Sequence, residues 1–255
     1  MDLGLQNAKA LVFGSSSGLG KEVARVLVEE GAKVALTSRD GQRCEDARRE
    51  VGGHACIIGD LTTPGSAAAM VESAASQLGG LDVVVVNTGG GKPGGILDTS
   101  GFDDAAFNSM LRPALEIARS ASEHLRSGTQ SRLIFLTARS VVEATPDLAL
   151  SSVFRSGVTA AARSLALELA PFVNVNVVVT GQFETPALSR FEEALAASSG
   201  MSLDEVRAHH VEAIPLKRVG TAREFANVVA FLCSRASSFV TGSVVRVDGG
   251  SVKGF

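Results

Sequence analysis

The segment Gly14-Ser-Ser-Ser-Gly18-Leu-Gly20 sets the architecture of the chain through what lies on either side of it. A short apolar run, residues 8–13, precedes the segment, and a stretch with helical spacing of apolar residues begins at Leu19. Glycines at such a strand-to-helix turn let the backbone approach a pyrophosphate, whose charge the free N–H groups and the positive end of the helix attract. The turn therefore predicts a dinucleotide site at the start of a βαβ unit.

The same alternation of short apolar runs and helical stretches continues along the chain. Strands that alternate with helices predict an α/β fold with a doubly wound, mostly parallel sheet of seven strands and helices on both faces. No internal repeat or low-complexity linker divides the 255 residues. We therefore expect one Rossmann domain over residues 1–255, with a lid-like excursion over residues 182–215. The predicted strands cover residues 8–13, 33–37, 55–58, 82–86, 132–137, 174–179 and 243–247.

The composition excludes several classes of protein. With 24 Lys and Arg against 27 Asp and Glu, the net charge of −3 argues against a protein held on nucleic acid or a membrane surface by bulk charge. The apolar runs are far shorter than the roughly 18 residues of a membrane span, and the N-terminus lacks a signal-like pattern. Cys44, Cys56 and Cys233 are odd in number and lack metal-ligand spacing, so we expect reduced thiols in a cytoplasmic protein without a bound metal.

The end of the second strand favours NADP over NAD as the dinucleotide. In such folds this end lies under the adenosine ribose, where a Ser-Arg pair such as Ser38 and Arg39 suits a 2′-phosphate. The alternative is that Arg39 is a solvated surface residue. Asp60 and Leu61, just after the third strand, are candidates for contact with the adenine, although Asp60 is alternatively the N-cap of the following helix.

Four further segments, in the expected order, resemble the short-chain dehydrogenase/reductase family. The resemblance covers nearly the whole chain and implies a bound nicotinamide dinucleotide, a small-molecule substrate and a homo-oligomer, a tetramer or a dimer. The segments are Asn87-Thr88-Gly89-Gly90, Thr180-Gly181-Gln182-Phe183-Glu184-Thr185, Ile214-Pro-Leu-Lys-Arg-Val-Gly220 and Val247-Asp-Gly-Gly250.

The glycine turn and the resemblance together define a candidate cofactor site that draws on both halves of the chain. Its members are Gly14, Ser15, Ser16, Ser17, Gly18, Leu19, Gly20, Ser38, Arg39, Asp60, Leu61, Asn87, Thr88, Gly89, Thr137, Arg155, Gly181, Phe183 and Thr185.

The catalytic positions of the family are where this sequence departs from the pattern. The resemblance implies an Asn, a Ser, a Tyr that protonates the substrate oxygen and a Lys that lowers the pKa of that phenol. These positions fall on Met110, Ala138, Ser151 and Arg155. The chain contains no tyrosine, so no shift of the alignment restores the phenol. We therefore expect an atypical member of the family.

Three polar residues remain near the catalytic positions. Ser140 lies two residues after Ala138, so in extended backbone both side chains would point the same way. Ser151 and Arg155 lie one helical turn apart on the same face of a helix, although Ser151 is alternatively a helix N-cap. Arg155 stays protonated, so it can donate hydrogen bonds but cannot act as a base at neutral pH.

The first functional hypothesis is an NADP-dependent oxidoreductase, similar to a 3-oxoacyl reductase, with a rebuilt site. Arg155, Ser151 and Ser140 would stabilise the developing alkoxide, and water would supply the proton. Lys92 and Arg139 flank the same cleft in this topology, where they either bind an anionic substrate or are ordinary surface charges.

Two other hypotheses use the same fold differently. One is an NADP-binding pseudo-enzyme, a sensor or scaffold that retains the glycine turn but lacks dehydrogenase activity. The other is a non-redox dehydratase or isomerase with His209 or His210 of the lid as acid or base, against the plainer view that both histidines are exposed.

Overall fold

The computed structural model describes residues 2–128, 131–145 and 147–253, apart from the side chain of Ser198. Its strands are β1 (Lys9–Val12), β2 (Lys33–Ser38), β3 (Ala55–Ile58), β4 (Val83–Val86), β5 (Ser131–Ala138), β6 (Val173–Thr180) and β7 (Val244–Val247). They form a seven-stranded sheet in the order β3-β2-β1-β4-β5-β6-β7, in which all six strand pairs are parallel. The predicted doubly wound α/β fold is therefore confirmed.

Helices cover both faces of the sheet because successive side chains of each strand point to opposite faces. The α-helices are α1 (Gly18–Glu29), α2 (Gly41–Val51), α3 (Ser66–Leu78), α4 (Asp103–Ala106), α5 (Arg112–Leu125), α6 (Ala149–Glu168), α7 (Pro186–Ser199), α8 (Leu203–Ala213) and α9 (Ala222–Cys233). In β4, Val84 and Val86 belong to the apolar cluster shared with α3, α5 and α6, whereas Val83 and Val85 belong to the cluster shared with α1, α2 and α9.

The order of the strands places the functional edge of the sheet. From β1 the chain moves outward through β2 and β3, then returns to the other side of β1 as β4. A crevice opens outside the carboxyl ends of the strands at such a reversal, and ligands bind there in folds of this kind. The glycine turn after β1 and the segment after β4 lie together at this crevice.

The excursion predicted at residues 182–215 contains α7 and α8. The buried carboxylate of Glu192 joins the two helices. Glu192 of α7 accepts a hydrogen bond from Nε of Arg207 at 3.2 Å and pairs with Nδ1 of His210 at 3.1 Å, both on α8. Ser202 and Glu205 form a capping box that begins α8. The two helices thus form one paired unit, and its action as a lid stays a prediction.

The cysteines depart from the expectation of three reduced thiols. Packing of α2 beside β3 brings Cys44 and Cys56 together, and the two residues form a disulfide. That expectation is wrong for this pair because the spacing in sequence did not show that the two residues face each other. Cys233 is a buried free thiol whose pKa burial raises to about 12. Within the described part of the chain, no helix combines the length and apolar character needed to span a membrane.

Candidate cofactor cleft and active site

The glycine turn is shaped by contacts that a side chain would block. Gly14 and Gly18 have φ of +59° and +56°, a region that favours glycine. A Cβ at Gly20 would lie 2.3 Å from the carbonyl oxygen of Gly14, and Nδ2 of Asn87 donates a hydrogen bond to that same oxygen at 3.2 Å. The first turn of α1 therefore packs directly against the end of β1, and its N-terminus faces the crevice.

A buried hydroxyl fixes the turn to the neighbouring strand. Ser15 donates from Oγ to the carbonyl oxygen of Val12 at 2.7 Å and accepts from the amide of Thr37 at 2.8 Å. Oγ1 of Thr37 in turn accepts from the amide of Gly14 at 2.9 Å. Ser15 thus supports the turn from behind, whereas Ser17 caps α1 without using its hydroxyl in a cap hydrogen bond.

The turn opens into a cleft of about 540 Å³ along the carboxyl edge of the sheet. Most of the predicted cofactor residues line this cleft. They are Gly14, Ser16, Ser17, Gly18, Leu19, Ser38, Arg39, Asp60, Leu61, Asn87, Thr88, Gly89 and Thr185.

The end of the cleft beside β2 and β3 carries the cations of Arg39 and Arg43 and the carboxylate of Asp60. Asp60 accepts from the amide and the hydroxyl of Thr62, bonds that, with the charge of Arg39, lower the pKa of Asp60. Asp60 is not a helix N-cap, because α3 begins later with Gly65 as its cap. Asp40 caps α2 by accepting from the amide of Arg43, so its carboxylate is already engaged.

Six polar residues of the cleft lie outside the predicted cofactor set: Thr37, Asp40, Arg43, Thr62, Ser109 and Arg190. Arg43 lies in the first turn of α2, and Arg190 lies one turn into α7, four residues after Pro186. Ser109 lines the cleft and donates to the carbonyl oxygen of Gly90 at 2.9 Å. Helical spacing from Pro186 was the available signal for Arg190, whereas Ser109 depends on a helix irregularity that spacing does not show.

Six predicted cofactor residues do not line the cleft: besides Ser15 and Gly20, which shape the turn, they are Thr137, Arg155, Gly181 and Phe183. Thr137 is buried, and its hydroxyl donates to the carbonyl oxygen of Val178 at 3.4 Å. The ring of Phe183 packs edge-on against Phe225 with centroids 5.2 Å apart. A Cβ at Gly181 would lie 2.5 Å from Cα of Asp248. Contacts with β6, with α9 and with the segment after β7 thus occupy these three side-chain positions.

Two serine hydroxyls meet beyond the cleft. Oγ of Ser140 lies 3.3 Å from Oγ of Ser151. Ser140 is buried on the 3-10 turn Arg139–Val141, so the extended backbone expected there is wrong although the side chain arrives beside Ser151. Ser151 is not an N-cap, because α6 begins at Ala149 with Leu148 as its cap.

Arg155 contacts a residue of the cofactor cleft and lies four residues after Ser151 on α6. Its guanidinium donates to the carbonyl oxygen of Gly89 at 2.9 Å and to that of Leu136 at 3.3 Å. Two carbonyls from segments after β4 and within β5 therefore fix its orientation. Desolvation lowers the pKa of Arg155 to about 10, so the side chain carries its charge at neutral pH.

An apolar cluster occupies the position that the resemblance assigns to the catalytic asparagine. Met110 lies on the π-helical segment Phe107–Leu111 and is fully buried against Ala106 and Leu150, with Phe154 packed on them. Asn108, the nearest amide in sequence, accepts from Nε of Arg112 at 2.8 Å and is already engaged.

The remaining candidates are two cations, Lys92 and Arg139, and two histidines of α8, His209 and His210. Nζ of Lys92 lies 4.0 Å above the ring of Phe102, and Arg139 is half-buried beside Ser140. His209 is exposed, as the plainer view expects. That view is wrong for His210, which pairs with Glu192 and stacks on the ring of Phe191 at 5.9 Å.

Comparisons with known proteins agree on the family of the chain. A family model described as enoyl-(acyl carrier protein) reductase matches residues 14–252. The NADPH-dependent reductase BacG of Bacillus subtilis is 26% identical over 96% of this chain and 97% of its own. The 3-oxoacyl-[acyl-carrier-protein] reductase FabG of Aquifex aeolicus is 29% identical over 98% of this chain and 99% of its own. The crystal structure of L-sorbose reductase from Gluconobacter frateurii, complexed with NADPH and L-sorbose, superposes with a TM-score of 0.94 at 27% identity, covering 100% of both chains.

Proposed function

The chain belongs to the short-chain dehydrogenase/reductase family, and from this premise we propose that it is an NADP(H)-dependent oxidoreductase with an atypical catalytic site. NADP(H) supplies the hydride in such a reaction. The glycine turn would hold its pyrophosphate, because backbone N–H groups and the N-terminus of α1 face the cleft there. Arg39 and Arg43 offer two cations for a 2′-phosphate, while Asp40 is engaged in capping α2.

The observation that carries the proposal is the position of Arg155 between the cleft and the serine pair. Gly89 lines the cofactor cleft and its carbonyl oxygen accepts from Arg155, which lies one helical turn from Ser151. A reacting group at the inner end of the cleft would therefore meet two hydroxyls, of Ser140 and Ser151, and one guanidinium. These donors can stabilise negative charge that develops on a substrate oxygen.

The finer parts of the proposal concern substrate, assembly and location. We propose a small-molecule carbonyl substrate, with Lys92 and Arg139 available to an anionic group. We further propose that residues 182–215 act as a lid, and that the protein is a cytoplasmic homo-oligomer, a tetramer or a dimer.

The experiment is NADPH binding, followed by fluorescence, together with NADPH consumption against β-ketoacyl thioesters, sugars and quinones. The proposal predicts binding and consumption with at least one acceptor class. Tight binding without consumption would support the second candidate, an NADP-binding pseudo-enzyme, which the absence of tyrosine favours. The non-redox alternative loses one of its two candidate histidines, because Glu192 engages His210 within the paired helices.

A further inference from the structure

Arg112, the first residue of α5, is held between its own helix and the loop after β3, residues 59–65. Its side chain is only 14% exposed. Nε donates to Oδ1 of Asn108 at 2.8 Å. Nη2 donates to the carbonyl oxygen of Leu61 at 3.0 Å and to that of Thr62 at 2.7 Å. The planar guanidinium cannot turn without breaking several of these bonds, so it fixes the loop to α5.

Glu116, one helical turn after Arg112, fixes the far end of the same loop. Its carboxylate accepts from Nη1 of Arg112 at 2.7 Å, and its two oxygens accept from the amide of Gly65 at 3.3 and 3.2 Å. Gly65 is the N-cap of α3, and a glycine has no side chain with which to accept from the first amides of a helix. A carboxylate is favourable at a helix N-terminus. Glu116 thus supplies an acidic group to the start of α3, whose own first turn contains none.

The loop held in this way carries a carboxylate of the cofactor cleft. Asp60, Leu61 and Thr62 all line the cleft. The amide and the hydroxyl of Thr62 both donate to Oδ1 of Asp60, at 2.8 and 2.7 Å. Both bonds go to one oxygen, so the other oxygen of the carboxylate can accept from a ligand. Thr62 therefore links the two groups, because its carbonyl oxygen accepts from Arg112 while its donors orient Asp60.

We propose that Arg112 and Glu116 are positioning residues for selection of the adenine ring. By holding the loop after β3, they fix Asp60 where its carboxylate accepts a hydrogen bond from the amino group of adenine. The inference rests on the proposed function, which places a dinucleotide in the cleft. Arg112 and Glu116 lie behind the loop, so they act on the ligand through Thr62 and Gly65 rather than by touching it.

The plainer alternative is that the two residues only join α3 to α5. Loss of these contacts would then loosen the fold and weaken every ligand of the cleft alike. The two views differ for a ligand with hypoxanthine in place of adenine, since hypoxanthine carries a carbonyl oxygen where adenine carries the amino group. A fixed carboxylate favours the amino group, because two acceptors that face each other are both left unpaired. A carboxylate that turns freely discriminates less.

The direct test compares NADPH with its hypoxanthine analogue in fluorescence titrations of the full chain. The wild-type protein should bind NADPH about 10-fold more tightly, because the analogue lacks a hydrogen bond to a charged group. Arg112→Met should lower this ratio to about 3-fold or less, chiefly by weakening NADPH, since Asp60 can then turn away from the amino group. Arg126→Met is the matched control and should keep the ratio, because Arg126 donates to the carbonyl oxygen of Glu168 from the other end of α5.

The outcomes of this titration separate the inference from the proposed function. Equal weakening of both ligands by Arg112→Met overturns the inference and leaves Arg112 a purely structural role. A wild-type protein that binds NADPH and its analogue equally well also overturns the inference, while the proposed function stands. A wild-type protein that binds neither ligand overturns both.

A second variant keeps the test open if Arg112→Met does not fold. Thr62 is exposed, so Thr62→Val removes the hydroxyl bond to Asp60 without disturbing the core. This variant should lower the same ratio, and the double variant with Arg112→Met should lose little more, because both changes act on one carboxylate. Thr63→Val, at the next exposed residue, is the control. An unchanged ratio in Thr62→Val, or fully additive losses, contradicts the route through Thr62.

Hydrogen exchange tests the loop without any ligand. The amides of Thr62 and Gly65 donate to the carboxylates of Asp60 and Glu116, so they are protected only while the loop is held. In Arg112→Met, a peptide that spans these amides should exchange faster than in the wild-type protein, as measured by mass spectrometry. Exchange that Arg112→Met leaves unchanged would overturn the inference.

Discussion

The cofactor cleft and the serine pair lie at the same edge of one sheet, yet they are built in different ways. The cleft rests on backbone: Gly14, Gly18 and Gly20 shape the turn, and a Cβ at Gly20 would lie 2.3 Å from a carbonyl oxygen. The proposed reaction site rests on side chains carried by a 3-10 turn and by α6, where Ser140 and Ser151 meet.

The difference explains why one region follows the family pattern and the other departs from it. Replacing a turn glycine forces the backbone or its neighbours to move, which threatens the fold as well as binding. Replacing a half-buried side chain such as Ser151 leaves the helix intact. Catalytic groups on this scaffold can therefore change while the dinucleotide site persists, which is why fold alone does not define the reaction.

The largest expected effect comes from a substitution that disrupts the glycine turn of the cofactor cleft. Loss of NADPH binding in that variant would separate the cleft from the serine pair. Gly18→Asp places a carboxylate in the cleft at a residue with φ of +56°. We expect NADPH affinity to fall at least about 100-fold, or ~2.7 kcal/mol, as measured by fluorescence titration. Gly200→Asp is the matched control, because Gly200 has φ of +74° and open space around it at the end of α7. An equal loss of NADPH affinity in both variants would contradict the assignment of the glycine turn to the cofactor site.

Substitutions in the serine pair should lower the rate of the reaction rather than the affinity for the cofactor. Ser151→Ala and Ser140→Ala each remove a proposed donor to the reacting oxygen, so we expect kcat to fall about 100-fold, the lower end of the range for such a donor. The double variant should lose little more than either single one, because the hydroxyls act as a pair. NADPH titration should show an unchanged Kd, and a weakened Kd with an unchanged kcat would reverse the assignment.

The positive charge of Arg39, at the proposed adenosine end of the cleft, should discriminate between NADPH and NADH. Arg39→Ala should weaken NADPH about 10-fold, since a hydrogen bond to a charged group contributes about 1.5–3 kcal/mol and Arg39 is exposed. NADH affinity should stay the same, because it lacks the 2′-phosphate. Titration with both cofactors checks this, and a parallel loss of both affinities would contradict the role of Arg39.

Arg190 tests whether the paired helices contribute to the cleft. Its position on α7 among the cleft residues predicts that Arg190→Gln weakens NADPH a few-fold, about 1 kcal/mol or less. Arg207→Gln is the control, since Arg207 belongs to α8 and pairs with Glu192. If only the control weakens NADPH, the cation of α7 has no part in binding.

The smallest expected effect is a flat pH profile. The hydroxyls do not titrate near neutrality, and Arg155 keeps its charge until the pH approaches its lowered pKa of about 10. The cation is present below that pH and is lost above it, so kcat should change by less than ~2-fold from pH 6 to 9 and fall as the pH passes about 10. A bell-shaped profile centred near neutrality would indicate an acid and a base outside this site.

Sequence reasoning reached the backbone-defined features and fell short where tertiary contacts decide. Alternating strands and helices indicated all seven strands, and the glycine turn indicated the cleft. Arg190 enters the cleft only through the placement of α7. Ser140 reaches Ser151 from a 3-10 turn, which the assumption of extended backbone could not show. The pairing of Glu192 with His210 depends on how α8 folds back on α7.

The crystal structure of the NADP⁺ complex tests the division between the two regions most directly. We predict the pyrophosphate on the Gly14–Gly20 turn, the 2′-phosphate against Arg39, and the nicotinamide ring with its C4 atom facing the hydroxyls of Ser140 and Ser151. A nicotinamide ring directed away from the serine pair, with Arg155 remote from it, would contradict the account.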